Sequence, residues 1–227
     1  MLNEKSLLKR IPWWGWVLGI GLFALQFGLY SAAYRLSVSL GTINHAWSPK
    51  IPAIDDMVHL VPVFVLIYVF SYVFWICAPV AVSLTRKSNL VNYVTGLLLA
   101  YIIGFCIFAF LPSYMDRTAE GLMKVSANDG FFNGILAWVY SNDGSSMAYN
   151  LCPSFHCMIS TYSYLGVRKQ AEISKGYRVY SFIMAVLICL STQFTKQHYF
   201  VDMIAGISLA VICYVLVAKI NPGKKYN

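Results

Sequence analysis

"LVNYVTGLLLAYIIGFCIFAFL", residues 90–111, continues for 22 residues without a charged side chain. A helix of that length rises about 33 Å, enough to cross a hydrocarbon core about 30 Å thick. No water is available there, so the backbone must satisfy its own hydrogen bonds, and helix is the form a single run can take. Five further apolar runs lie at about 13–34, 57–84, 150–167, 178–195 and 199–218. The run at 150–167 is interrupted by Ser160, Thr161 and Ser163, yet carries no charge from Leu151 to Val167. Six runs occupy most of the chain. The predicted fold is therefore all-α, a polytopic membrane helix bundle with six transmembrane helices. Residues 1–227 form a single integral membrane domain.

Composition agrees with that reading. Charged residues make up 11% of the chain and the mean hydropathy is +0.62, where a soluble domain carries about 25% charged residues. A first apolar run behind "KRIPWWGW" and before "SAA" has the outline of a signal peptide. Its length, its tryptophans and the five runs that follow favour a retained helix instead.

The net charge of +8 would suit nucleic acid if it were clustered, and it is not. With the N-terminus in the cytoplasm, the inner segments hold 12 of the 17 cations, including Lys5, Lys9 and Arg10. The outer segments hold Arg35, Lys50, Arg117, Lys124 and Lys196. This positive-inside distribution places both termini in the cytoplasm and excludes a nucleic-acid partner in favour of membrane lipids. Of the acids, only Glu4 and Glu172 lie inside, so the outer face is the polar one. Residues 112–149 then form an extracytoplasmic loop, in which "GFFNGILAWVY" (130–140) suits a short interfacial helix or a segment packed on the bundle. The six cysteines are not a disulfide framework: Cys77, Cys106, Cys189 and Cys213 read as packing residues, and so do Cys152 and Cys157 near the outer face, with contact to a ligand or to each other as the alternative.

Two polar clusters stand at the outer ends of runs. In "CPSFHC" (152–157), a helix beginning at Pro153 would turn free backbone N–H groups outward, a setting suited to phosphate. Ser154 adds a hydroxyl, and His156 can donate a hydrogen bond or a proton. In "STQFTKQHYFVD" (191–202), His198 and Asp202 stand four apart and share one helix face. The carboxylate can fix the imidazole tautomer and leave the other ring nitrogen free to attack an electrophile. Lys196 lies at the same boundary, where its charge suits an anion. A satisfied polar contact between helices and a metal site using His156, His198 and Asp202 are the alternatives; a metal-independent reaction with no cofactor is the preferred expectation.

These motifs resemble the type-2 phosphatidic acid phosphatases, which are related to the vanadium haloperoxidases. "PSFH" at 153–156 fits that family's second motif. Ser191, His198 and Asp202 keep the spacing of its third, although Thr192 stands where an arginine is usual. In "FLPSYMDRT", Arg117 matches the first motif, while Thr118 replaces its proline and Phe110 its lysine. The pattern is similar to a divergent branch that includes inositol phosphorylceramide synthases. The resemblance implies His198 as a nucleophile forming a phospho-histidine, Asp202 as its orienting partner and His156 as the acid for the leaving group. It further implies Ser154, Arg117 and Ser191, the third motif's serine, on the phosphate oxygens. Lys196 or Lys124 would replace part of the missing positive charge.

Three functions follow in order of preference. The first is a phosphatase acting on a lipid phosphate or polyprenyl (pyro)phosphate at the outer leaflet. The second is a phosphotransferase using an alcohol acceptor, and the third a non-catalytic binder of lipid phosphate. A bacterial cytoplasmic membrane is the expected location.

Overall fold

The computed structural model describes residues 11–144 and 146–226. Lys5, Lys9, Arg10 and Glu4, which enter the charge argument, lie outside the described residues. The long helices are α1 (Trp13–Ser39), α2 (Val65–Val82), α3 (Lys87–Phe110), α4 (Phe131–Asn142), α5 (Phe155–Val167), α6 (Lys175–Phe194) and α7 (Phe200–Ile220). Two short antiparallel strands, β1 (Tyr114–Asp116) and β2 (Met147–Tyr149), add a small sheet to the expected all-α fold, with Met115 opposite Ala148.

Among the described residues, five helices are long and apolar enough to cross a membrane: α1, α2 with its preceding turn from Pro62, α3, α6 and α7. The expected span at 150–167 differs. Its helix, α5, has 13 residues and rises about 20 Å, less than a hydrocarbon core. Most of α5 is buried, including Met158, Ile159, Tyr162 and Val167. Its serines therefore meet protein rather than lipid; Ser160 Oγ accepts a hydrogen bond from Trp75 Nε1 at 2.9 Å. A short helix is sufficient because neighbouring helices, not lipid, surround it. The six-pass path is compatible with this bundle.

The helix ends and turns sort into two groups. At one end Arg86 pairs with Glu172 at 3.1 Å, and Asn92 bonds Asn221 at 2.9 Å. At the other, Trp47 bridges to Ser113, Lys196 Nζ donates to the Asp55 carbonyl at 2.6 Å and Tyr199 donates to Glu120 at 3.0 Å. The 150–167 segment thus joins opposite ends despite its short helix.

Close backbone approach sets two of the packing contacts. On α1, a Cβ at Gly19 would run into the Ile76 carbonyl, so the Gly15–Gly19 pair does bring α1 onto α2. On α7, a Cβ at Gly206 would run into the Ser154 carbonyl. That contact presses the start of α7 against the start of α5. Helix α4 covers the apolar stretch of the loop. Leu136, Val139 and Tyr140 face inward, and Phe131 and Trp138 are exposed.

Candidate active site

The starts of α5 and α7 converge because the Ser154 N–H donates to the Asp202 carbonyl at 3.0 Å, over the Gly206 contact. This brings the His156 and His198 rings to a centroid separation of 6.0 Å. Both rings line one cavity of about 440 Å³, the size of a small-ligand pocket.

His198 lies in the turn before α7. Its N–H donates to the Thr192 carbonyl at 3.2 Å, and its Nδ1 stands 3.4 Å from Asp202 Oδ2. That separation is an ion-pair distance without hydrogen-bond alignment, so the carboxylate acts through its charge. Burial disfavours a charged ring here, but the Asp202 carboxylate outweighs it. The His198 pKa is consequently raised above the ordinary histidine value. Asp202 also closes the helix end, since Oδ2 accepts from the Tyr199 N–H at 2.9 Å and caps α7.

His156 sits in the first turn of α5 and stacks on Tyr68 with centroids 4.1 Å apart, with Trp75 at 4.8 Å on another side. The aromatic faces fix the ring plane. Its Nε2 is buried and lacks a hydrogen-bond partner among the described residues. A buried polar atom left so calls for a ligand or water.

The remaining candidates are placed differently. Helix α5 begins at Phe155 rather than Pro153, and Ser154 is its cap: Oγ accepts from the Cys157 N–H at 3.4 Å. Proline at 153 therefore precedes the cap, and the serine oxygen accepts from one of the N–H groups that the helix start was expected to leave open, a bond that does not use the hydroxyl's own proton. Ser191 is fully buried and donates to the Ile188 carbonyl at 2.7 Å. Lys196, in left-handed backbone at φ 51°, turns to Asp55. Lys124 is exposed away from the cavity. None of these four lines the cavity.

Arg117 lies one layer behind the cavity wall, fully buried. Its Nη2 bonds Asp143 Oδ2 at 2.7 Å and Gln197 Oε1 at 2.8 Å, while Nη1 bonds the Asp143 carbonyl at 2.9 Å. Asp143 and Gln197 do line the cavity. Because Arg117 holds the Gln197 oxygen, the amide Nε2 is turned elsewhere and has no partner among the described residues. No Lys or Arg is among the described residues that line the cavity.

Cys152 lies beside Asp202. Burial first, and that carboxylate second, push its thiol up to about 12, so it stays protonated and is a poor nucleophile. Among the described residues no group of three His, Cys, Asp or Glu side chains could hold a metal ion.

The model of the PAP2 superfamily matches residues 34–216. The chain belongs to the PAP2 superfamily. Family and apolar helices together make it an integral membrane protein. The chain is also similar to the inositol phosphorylceramide synthase catalytic subunit aur1 of Schizosaccharomyces pombe, at 28% identity over 101 residues. That alignment takes in 44% of this chain and 22% of the relative, so the chain matches about a fifth of the relative's length. No solved structure matches the chain significantly.

Sequence reasoning missed several residues of this PAP2 cavity. Asp143 falls in "SNDGSS", which reads as turn chemistry, and its carboxylate acquires meaning only opposite Arg117. Tyr68, Trp75 and Gln26 lie inside apolar runs. Gln197 had one available signal, since it adjoins His198 in the third motif.

Proposed function

We propose that this PAP2 protein transfers the phosphoryl group of a lipid phosphate through a phospho-histidine, without a metal. The observation that carries the reading is the pair of imidazoles 6.0 Å apart on one cavity, with a carboxylate behind the first. Asp202 lies on the Nδ1 side of His198 and favours a proton there, leaving the Nε2 lone pair to attack phosphorus. The bond from phosphorus to the lipid oxygen breaks as the N–P bond forms. His156 delivers a proton to the departing oxygen, releasing a neutral alcohol from a lipid phosphate or the lipid monophosphate from a pyrophosphate. Water then attacks the phospho-histidine, His156 takes its proton, and phosphate leaves as the N–P bond breaks.

Charge stabilisation comes from the start of α5, from the Gln197 amide and from Arg117 acting through Gln197. The substrate is a lipid phosphate or polyprenyl (pyro)phosphate, reached from the outer leaflet of a bacterial cytoplasmic membrane. The orientation rests on the surplus of cations at the opposite end of the bundle.

A second reading replaces water by an alcohol and makes the protein a phosphotransferase of phosphoryl or phospho-headgroups. The cavity's amide-rich, aromatic wall and the similarity to a phosphorylceramide synthase subunit favour it. Purified protein incubated with a panel of lipid phosphates and headgroup-bearing phospholipids, in EDTA, distinguishes the two. Release of inorganic phosphate supports the first, and a new headgroup-bearing lipid the second. No product across the panel would leave a lipid-phosphate binder and overturn catalysis; activity that EDTA removes and metal restores would overturn metal independence.

A further inference from the structure

The cavity is polar on two sides, and the two sides differ in kind. Near the histidines the unpartnered atoms include a donor: Gln197 Nε2, whose orientation Arg117 sets. On the wall formed by α1 and the segment after β2, the unpartnered atoms are acceptors. Gln26 Oε1 and Asn150 Oδ1 are both buried, their residues 5% and 2% exposed, and neither atom has a partner among the described residues. The Asn150 amide is held by its Nδ2, which donates to the Tyr30 carbonyl at 3.4 Å, so the oxygen is the end left over. Asp143 adds a carboxylate to this wall.

Gln26 is the deeper of the two. It lies 13 residues before the end of α1 at Ser39, about 20 Å down the helix, at mid-span. Tyr30, one turn closer to that end, reaches the Tyr149 carbonyl at 2.9 Å, so Gln26 is about 6 Å deeper than the strand. An amide oxygen without a partner at that depth is costly in hydrocarbon. The mouth beside it is apolar and exposed, bounded by Phe27 and Trp138.

A phosphoryl group offers only acceptors and fits the histidine end. The acceptor wall needs the opposite. We infer that Gln26 and Asn150 form a selectivity subsite for a hydrogen-bond donor, a hydroxyl or amide N–H, on the molecule bonded to or receiving the phosphoryl group. The inference rests on the function proposed above. It excludes a ligand whose only polar groups near phosphorus are esters, which would leave both oxygens unpartnered. The donor can belong to the lipid itself or to a free polyol.

The test compares full-length wild type with Gln26→Met, which keeps the side-chain length and removes the acceptor. Matched lipid phosphates, one with a hydroxyl beside the phosphoester and one without, give a ratio of kcat/KM values. Wild type prefers the hydroxyl-bearing lipid, and the ratio falls about tenfold in Gln26→Met, the scale of one unmatched buried acceptor. Asn150→Leu, which removes the second acceptor, lowers the same ratio. A parallel arm adds glycerol as the free polyol. If glycerol becomes phosphorylated in wild type and Gln26→Met loses that product, the donor comes from the acceptor alcohol rather than from the lipid.

A binding readout separates this inference from catalysis. Phosphonate analogues of the two lipids are compared by their effect on the thermal unfolding midpoint in detergent. Absence of turnover with a larger stabilisation by the hydroxyl-bearing phosphonate, lost in Gln26→Met, refutes the proposed reaction and retains the subsite. Turnover in wild type with no preference in either lipid or glycerol arm, or a preference unchanged in Gln26→Met, overturns the subsite: water alone then satisfies Gln26.

Discussion

Replacing Asp202 separates two roles that one carboxylate performs. Its charge stands 3.4 Å from His198 Nδ1, and its Oδ2 caps α7 through the Tyr199 N–H at 2.9 Å. Asparagine keeps an oxygen for the cap and removes the charge; alanine removes both. Asp202→Asn should therefore unfold close to the wild-type temperature, while Asp202→Ala loses about 1 kcal/mol through the missing cap. Both should lose turnover by about a hundredfold to ten-thousandfold, the range found when an orienting carboxylate is removed from a catalytic histidine.

The pH profile adds a second readout. The nucleophile must be neutral, and the Asp202 charge holds the His198 pKa above the ordinary value. The acidic limb of kcat/KM should thus lie above about pH 6.5 in wild type and move to lower pH in Asp202→Asn. Stability follows the same sign. The raised pKa stabilises the fold fully below the unfolded histidine's pKa of about 6.5, and that contribution disappears as pH rises through the folded value. The assay is product formation against pH in detergent, alongside thermal unfolding. Near-wild-type turnover and an unmoved acidic limb in Asp202→Asn would show that Asp202 is only a helix cap, and the orienting role would be refuted.

Three further perturbations test the rest of the site. His198→Ala should abolish turnover while leaving a folded bundle; retained turnover excludes it as nucleophile. Arg117→Met leaves Asp143 without its ion pair and should cost up to about 3 kcal/mol. Arg117→Met combined with Asp143→Asn should recover part of that stability but little activity, because Gln197 is no longer oriented; thermal unfolding and turnover measured together check both halves. Gly206→Ala drives a methyl group into the Ser154 carbonyl and should destabilise by about 1–3 kcal/mol, with a fall in kcat as the two histidines separate. An unchanged kcat would show that the convergence of α5 and α7 is not set there.

Much of the site was legible because chemistry in a membrane is conspicuous. His156, His198 and Asp202 stand out in apolar surroundings, and their spacing puts them on helix starts. The structure brings them together, with His198 beside Asp202 and His156 across the cavity. The cation and hydroxyl assignments fared differently. Lys196, Ser191 and Ser154 match by position, and each side chain is engaged by the local backbone or by the loop at Asp55. A motif position specifies where a residue lies along the chain, not which neighbour captures its hydrogen bonds.

The sequence by itself determined five of the six expected membrane-spanning helices and the residues most expensive to place in lipid. Burial in hydrocarbon leaves few choices, and composition records them directly. Tertiary structure alone decided that α5 is a short enclosed helix, that Arg117 lies behind the cavity wall and that Asp143 and Gln197 stand in front of it. Those outcomes depend on which helix ends meet. That is set by close backbone contacts between distant segments, such as Gly206 on Ser154, which no local spacing encodes.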